Sequence, residues 1–226
     1  MRMMKKALTT AELMIALTIV GVIAALVLPV LIHDYNAKVY VTKLKRTYNL
    51  LANALEQACI DNSVSNFGMT RYARSGGEAD FIEKYLPVTG QGDLFADSYR
   101  RAKESNAYNA TSTNRAQNTT YDPYMLRGGM VVYMLCNPNN VVFSSKNYKF
   151  CYFIVDINGK MKPNMAGRDI FTLMVDQSTN QITDMYKTLT NCTENTRTQT
   201  ILGTTLNLNG AGCLYQIMEN NWEMKY

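Results

Sequence analysis

A chain of 226 residues, 47% hydrophobic and 18% charged, has room for one folded domain plus an added element and is too apolar to be disordered. Its net charge of +5 does not point to nucleic acid, because Arg2, Lys5 and Lys6 supply three of those charges at the extreme N-terminus. The single histidine, His33, leaves no partner for histidine-based nucleophilic catalysis or a multi-histidine metal centre, and no phosphate-cradling glycine loop occurs; the composition reads as that of a non-enzyme.

In chain order, residues 1–7 form a short basic leader. Glu12 follows, and then residues 13–32 carry no charge. As a helix that run measures about 30 Å, the thickness of a bilayer's hydrocarbon core. A cleaved secretory signal is the alternative, with Ala24-Ala25 as its cutting place. Against it, the apolar run passes well beyond Ala25, Pro29 lies inside it, and an amphipathic pattern follows directly. Leu44, Tyr48, Leu51, Leu55 and Cys59 recur at three- and four-residue spacing, opposite Lys45, Arg46, Asn53 and Glu56. The two segments therefore read as one long helix. Lys38, Lys43, Lys45 and Arg46 balance the leader's charges, so charge alone does not orient the span. This basic cluster reads first as a solvated helix face, with lipid headgroups, acidic neighbours or DNA as the other readings.

The order basic leader, Ala7, Leu8, Thr9-Thr10-Ala11, Glu12, with Pro29 further along, resembles the N-terminal signal of type IV pilins and type II secretion pseudopilins. Ala7 and Leu8 stand where that family usually carries glycine and phenylalanine. The resemblance implies that a prepilin peptidase cuts between Ala7 and Leu8 and methylates the new amine. It gives Glu12 a role: neutralising the Leu8 amine of a neighbouring subunit in a filament core, where an unpaired ion is costly. The bland reading is a partly wet glutamate favoured by a helix N-terminus. Pro29 removes a backbone donor and is expected to kink or locally open the helix.

Beyond Cys59, "DFIEKYL" (80–86) reads as a short helix ended by Pro87, and residues 98–120, which include Arg100, Arg101 and Lys103, read as a polar surface excursion. Residues 130–135, 150–157, 170–175 and 182–186 are β-branched or aromatic runs broken by "CNPNN", "NG" and "QSTNQ". Asn158-Gly159 is a hairpin signal. The closing segment reads as a short helix and a tail that returns Trp222 to the sheet. The expected fold is α+β: a long N-terminal helix, membrane-embedded in its first half, packed on an antiparallel sheet, as in pilins. The expected divisions are a leader (1–7), a transmembrane or filament-core helix (8–32), its amphipathic continuation (33–60) and an outward-facing domain (61–226).

Asp156, Asn158, Asn164 and Asp169 place hard oxygen donors on turning backbone. They resemble loops of pilin-like secretion proteins, some of which bind calcium, and calcium is the one cofactor candidate. A structural turn built on Asn158-Gly159 is the competing reading. Five cysteines show no zinc spacing. Behind an export signal they favour disulfides, Cys136 with Cys151 across a hairpin and Cys192 with Cys213 closing the C-terminal loop, which leaves Cys59 odd. Buried reduced thiols are the alternative.

The expected function is that of a structural subunit of a type IV pilus or type II secretion pseudopilus. Its implied partners are copies of itself and other pilins, the peptidase, and an inner-membrane assembly platform with its ATPase. It would wait in the inner membrane as a single-pass protein whose C-terminal domain faces the periplasm or exterior. A membrane-anchored or secreted binding module, and a DNA-uptake pilin, are the alternatives.

Overall fold

The computed structural model describes residues 9–74, 76–91, 123–143, 146–159, 161, 167–184, 200–201, 206–207 and 212–225. Ala7, Leu8, Asn164, Cys192 and the excursion at 98–120 lie outside these. Two compact units follow one another along the chain, Met1–Val39 and Tyr40–Tyr226. The second begins inside helix α1 (Thr10–Asp61), so the amphipathic half of that helix belongs to the globular unit.

In the first unit α1 is apolar on every side. The large apolar residues of 13–32 are exposed, from Val27 at 46% to Met14 and Leu26 at 71%, and only Ala24 in this stretch is partly covered. The helix runs through Pro29 without interruption. In the second unit Val41, Leu44, Thr47, Leu51, Ala54, Leu55, Ala58 and Cys59 are buried. Lys45, Arg46, Asn53 and Glu56 stay exposed, as the three- and four-residue periodicity requires.

Two single 3-10 turns, Phe67–Met69 and Arg71–Ala73, lead to α2 (Glu78–Tyr85). An antiparallel meander of six strands follows: β1 (Val88–Gln91), β2 (Tyr124–Leu126), β3 (Val131–Phe143), β4 (Lys146–Asp156), β5 (Ile170–Asp176) and β6 (Ile182–Thr183), hydrogen-bonded in that order. A separate pair, β7 (Thr200–Ile201) and β8 (Leu206–Asn207), precedes α3 (Cys213–Glu219). The buried face of α1 and one face of the sheet share a core with Phe67, Phe81, Leu126, Phe153, Phe171 and Ile217. Aromatic rings meet edge-on within it, Phe67 and Phe81 at 5.2 Å and Tyr72 and Tyr85 at 5.5 Å. The fold is α+β, as expected.

Three local expectations are corrected. "CNPNN" does not end a strand; β3 runs through it, with a register irregularity between Asn137 and Val141 where Pro138 offers no donor. Asn158-Gly159 does not make a two-residue turn. Only Gly159 of the pair has a positive φ, 61°, whereas a tight hairpin turn of that kind needs two such residues; the β4–β5 ladder ends at Asp156 and Ile170, which leaves residues 157–169 between the strands. Trp222 packs on α1, its ring 5.5 Å from that of Tyr48 and 5.4 Å from the Lys45 ammonium.

Candidate functional site

The head of α1 is closed by its own side chains. The Thr9 N–H and the Thr9 hydroxyl both donate to Glu12 Oε2, each at 2.8 Å, while the Glu12 N–H donates to Thr9 Oγ1 at 3.3 Å. This reciprocal arrangement is a capping box: it satisfies N-terminal N–H groups that a helix leaves without intrahelical acceptors. The spacing Thr9-x-x-Glu12 is the sequence signature of that box. Both hydrogen bonds fall on one carboxylate oxygen.

Beyond Glu12, the polar groups of the apolar half are turned inward on the helix itself. The Thr18 hydroxyl donates to the Met14 carbonyl at 2.8 Å, so it asks nothing of its surroundings. A side chain at Gly21 would meet nothing within 4 Å. His33 approaches Asp34 at 3.5 Å with both side chains more than half exposed, which makes it an exposed pair of small energetic weight.

The second candidate, the β4–β5 loop, brings three of its four expected residues together. Asp156 Oδ1 accepts the N–H groups of Asn158 (3.1 Å) and Gly159 (2.8 Å), and Asn158 Nδ2 donates to Asp169 Oδ2 at 3.0 Å. All three side chains are buried. Gly159 is required here: a Cβ would lie 2.6 Å from the Gly129 carbonyl. Tyr40 stands beside the loop. Burial raises the pKa of its hydroxyl, the Asp169 charge adds to that, and Arg168 and an Asn158 hydrogen bond oppose it. Calcium asks for six to eight oxygens. The described residues bring two carboxylates and an amide that are engaged with one another and with turn N–H groups. Among the described residues no group of three or more His, Cys, Asp and Glu converges.

Cys136 and Cys151 face each other across β3 and β4 and are bonded, Cα to Cα 4.0 Å. Cys213 is also disulfide-bonded, and Cys59 is free and buried. Two buried carboxylates were not read from the sequence. Glu78 accepts the Cys136 N–H at 3.0 Å and the Gly76 N–H at 2.6 Å. Asp184 accepts the N–H groups of Gly212 (2.7 Å) and Tyr215 (3.1 Å) at the head of α3. Both tie together segments far apart in sequence, and no local pattern announces them.

By length and composition α1 is the one helix among the described residues long and apolar enough to cross a membrane. Comparisons with family models, with curated proteins and with solved structures find no match to this chain.

Proposed function

We propose that the chain is a filament subunit of the type IV pilus or type II secretion pseudopilus kind. It is held in the inner membrane by the first half of α1, cut after Ala7, and assembled by burying residues 13–32 against the same segment of its neighbours. The observation that carries this reading is the apolar half of α1, exposed all round, with one carboxylate at its head. Glu12 caps its own helix, a use any span has for it, but a carboxylate near hydrocarbon is expensive. A helix that must stack in register has a further use for it: Glu12 meets the Leu8 amine released by cleavage in the adjoining subunit. The globular unit from Tyr40 on then faces outward, stapled by Cys136–Cys151 as suits an oxidising compartment.

N-terminal mass spectrometry of the mature protein tests this reading. Methylated Leu8 is the expected first residue. An N-terminus near Ala25, or an intact Met1, would replace it with a secreted or simply anchored binding module.

A further inference from the structure

Within the globular unit, the exposed face of α1 carries its charges at two levels. Lys45 and Arg46 stand near its start and Glu56 near its end; the exposed residues between them, Asn49 and Asn53, are neutral. The Lys45 ammonium lies over the Trp222 ring. Asp61, further along, is taken by Lys84, Gln57 and Tyr85. Arg46 and Glu56 make no hydrogen bond or ion pair among the described residues. Nor can they satisfy each other inside one subunit, because ten residues of helix hold them about 15 Å apart along the axis.

A stripe of both signs selects its partner. An anionic lipid surface or a nucleic acid would attract Arg46 and repel Glu56. A second copy of the same helix, parallel and slid by ten residues, meets both demands, because its Glu56 comes level with Arg46. Around the helix the two positions are about 80° apart. A repeating contact that builds a filament joins two different faces of one subunit, so that separation suits it.

We infer that Arg46 of one subunit pairs with Glu56 of another, which makes the exposed face of α1 in the globular unit a contact between copies. The inference rests on the proposed function, which supplies the parallel helices. The slide exceeds the four-residue offset of Leu8 and Glu12, so the two pairings join a subunit to different neighbours. Once a neighbour covers this face the pairing becomes obligatory. An exposed pair contributes little, but a lone charge taken out of water is costly.

The test uses the full chain in cells that carry the peptidase and assembly machinery. Two quantities are read: the mature N-terminal mass and the yield of sheared filaments per subunit present in the membrane. Both positions are exposed, so charge reversal leaves the fold intact. Arg46→Glu and Glu56→Arg each bring like charges together, and each is expected to lower the yield at least about tenfold with normal cutting after Ala7. The double variant, Arg46→Glu with Glu56→Arg, restores the pair with its signs exchanged and is expected to return to within about threefold of the parent. Parental yield from either single variant overturns the inference and leaves the proposed function standing; a loss confined to Arg46→Glu would name a purely anionic partner instead. A double variant no better than the poorer single one overturns it as well. A parent chain that lacks methylated Leu8 removes the proposed function, and this inference with it.

Discussion

The N–H of Cys136 points away from the strand that holds its disulfide partner, and β2, which pairs only as far as Val132, ends too early to receive it. Glu78 reaches across from the first turn of α2 to accept it, and its other oxygen takes the Gly76 N–H. The side chain is 1% exposed and its bond to the Cys136 N–H is buried, so water cannot substitute for that bond. Gly77, just before it, is fixed by sterics as well: a Cβ there would sit 2.6 Å from the Arg71 carbonyl. Glu78→Ala orphans one buried donor, the Cys136 N–H, while the exposed Gly76 N–H can turn to water; an unmet buried group costs more than a hydrogen bond contributes. We expect a loss of about 1–3 kcal/mol in unfolding free energy, read from denaturant midpoints of the full chain in detergent. A variant that unfolds with the parent would show that the β3 edge finds another acceptor.

At the scale of elements, α1 is one helix with two surface chemistries. Leu51 is fully buried against the sheet, while Leu17 is 63% exposed. Leu51→Ala removes packed methyl groups and leaves a cavity, at about 2–5 kcal/mol of stability. Leu17→Ala is expected to change the unfolding midpoint of the isolated subunit by less than about 0.5 kcal/mol and to lower filament yield instead. Equal effects of the two on unfolding would mean that the apolar half is packed within the subunit after all. The sequence made this division legible because helical spacing persists through the buried half and dissolves into uniform apolarity in the other. Other elements were hidden for physical reasons. β1 ("VTGQ") and β2 ("YML") have no alternation of their own; pairing along the edge of β3 imposes their conformation. Asn137-Pro138-Asn139-Asn140 has turn propensity, and it interrupts the ladder to β4 as an irregularity between Asn137 and Val141, beyond which the pairing resumes. At the head of α1 the acid was legible and its partner was spelled beside it, but the capping role of Thr9 lies in a three-residue spacing that a search for charges passes over.

For the molecule as a whole, the division of labour along the chain has a measurable form. Every residue of the buried core lies at or beyond Val41. Conversely, of the large hydrophobic residues exposed among the described ones, only Ile60, Met69 and Met161 come after residue 40. Soluble monomers rarely carry an apolar surface as continuous as that of residues 13–32. Removing residues 1–39 thus takes away the surface that needs lipid, detergent or a neighbour, and leaves the helix face, sheet and disulfide staple untouched. The fragment 40–226, secreted to the periplasm so that Cys136–Cys151 forms, should be soluble and monomeric. Its near-UV dichroism should match the full chain in detergent, and its thermal midpoint should fall within about 5 °C of the parent's, the shift that roughly 1–2 kcal/mol produces at this size. Fraying at the new helix start near Tyr40 accounts for a loss of that order, since the first turn loses its preceding carbonyls. A fragment that aggregates or lacks the near-UV signal would mean that the apolar half contributes to folding of the subunit itself. Burial of residues 13–32 would then belong to the fold, and the surface assigned to assembly would have to be sought on the globular unit.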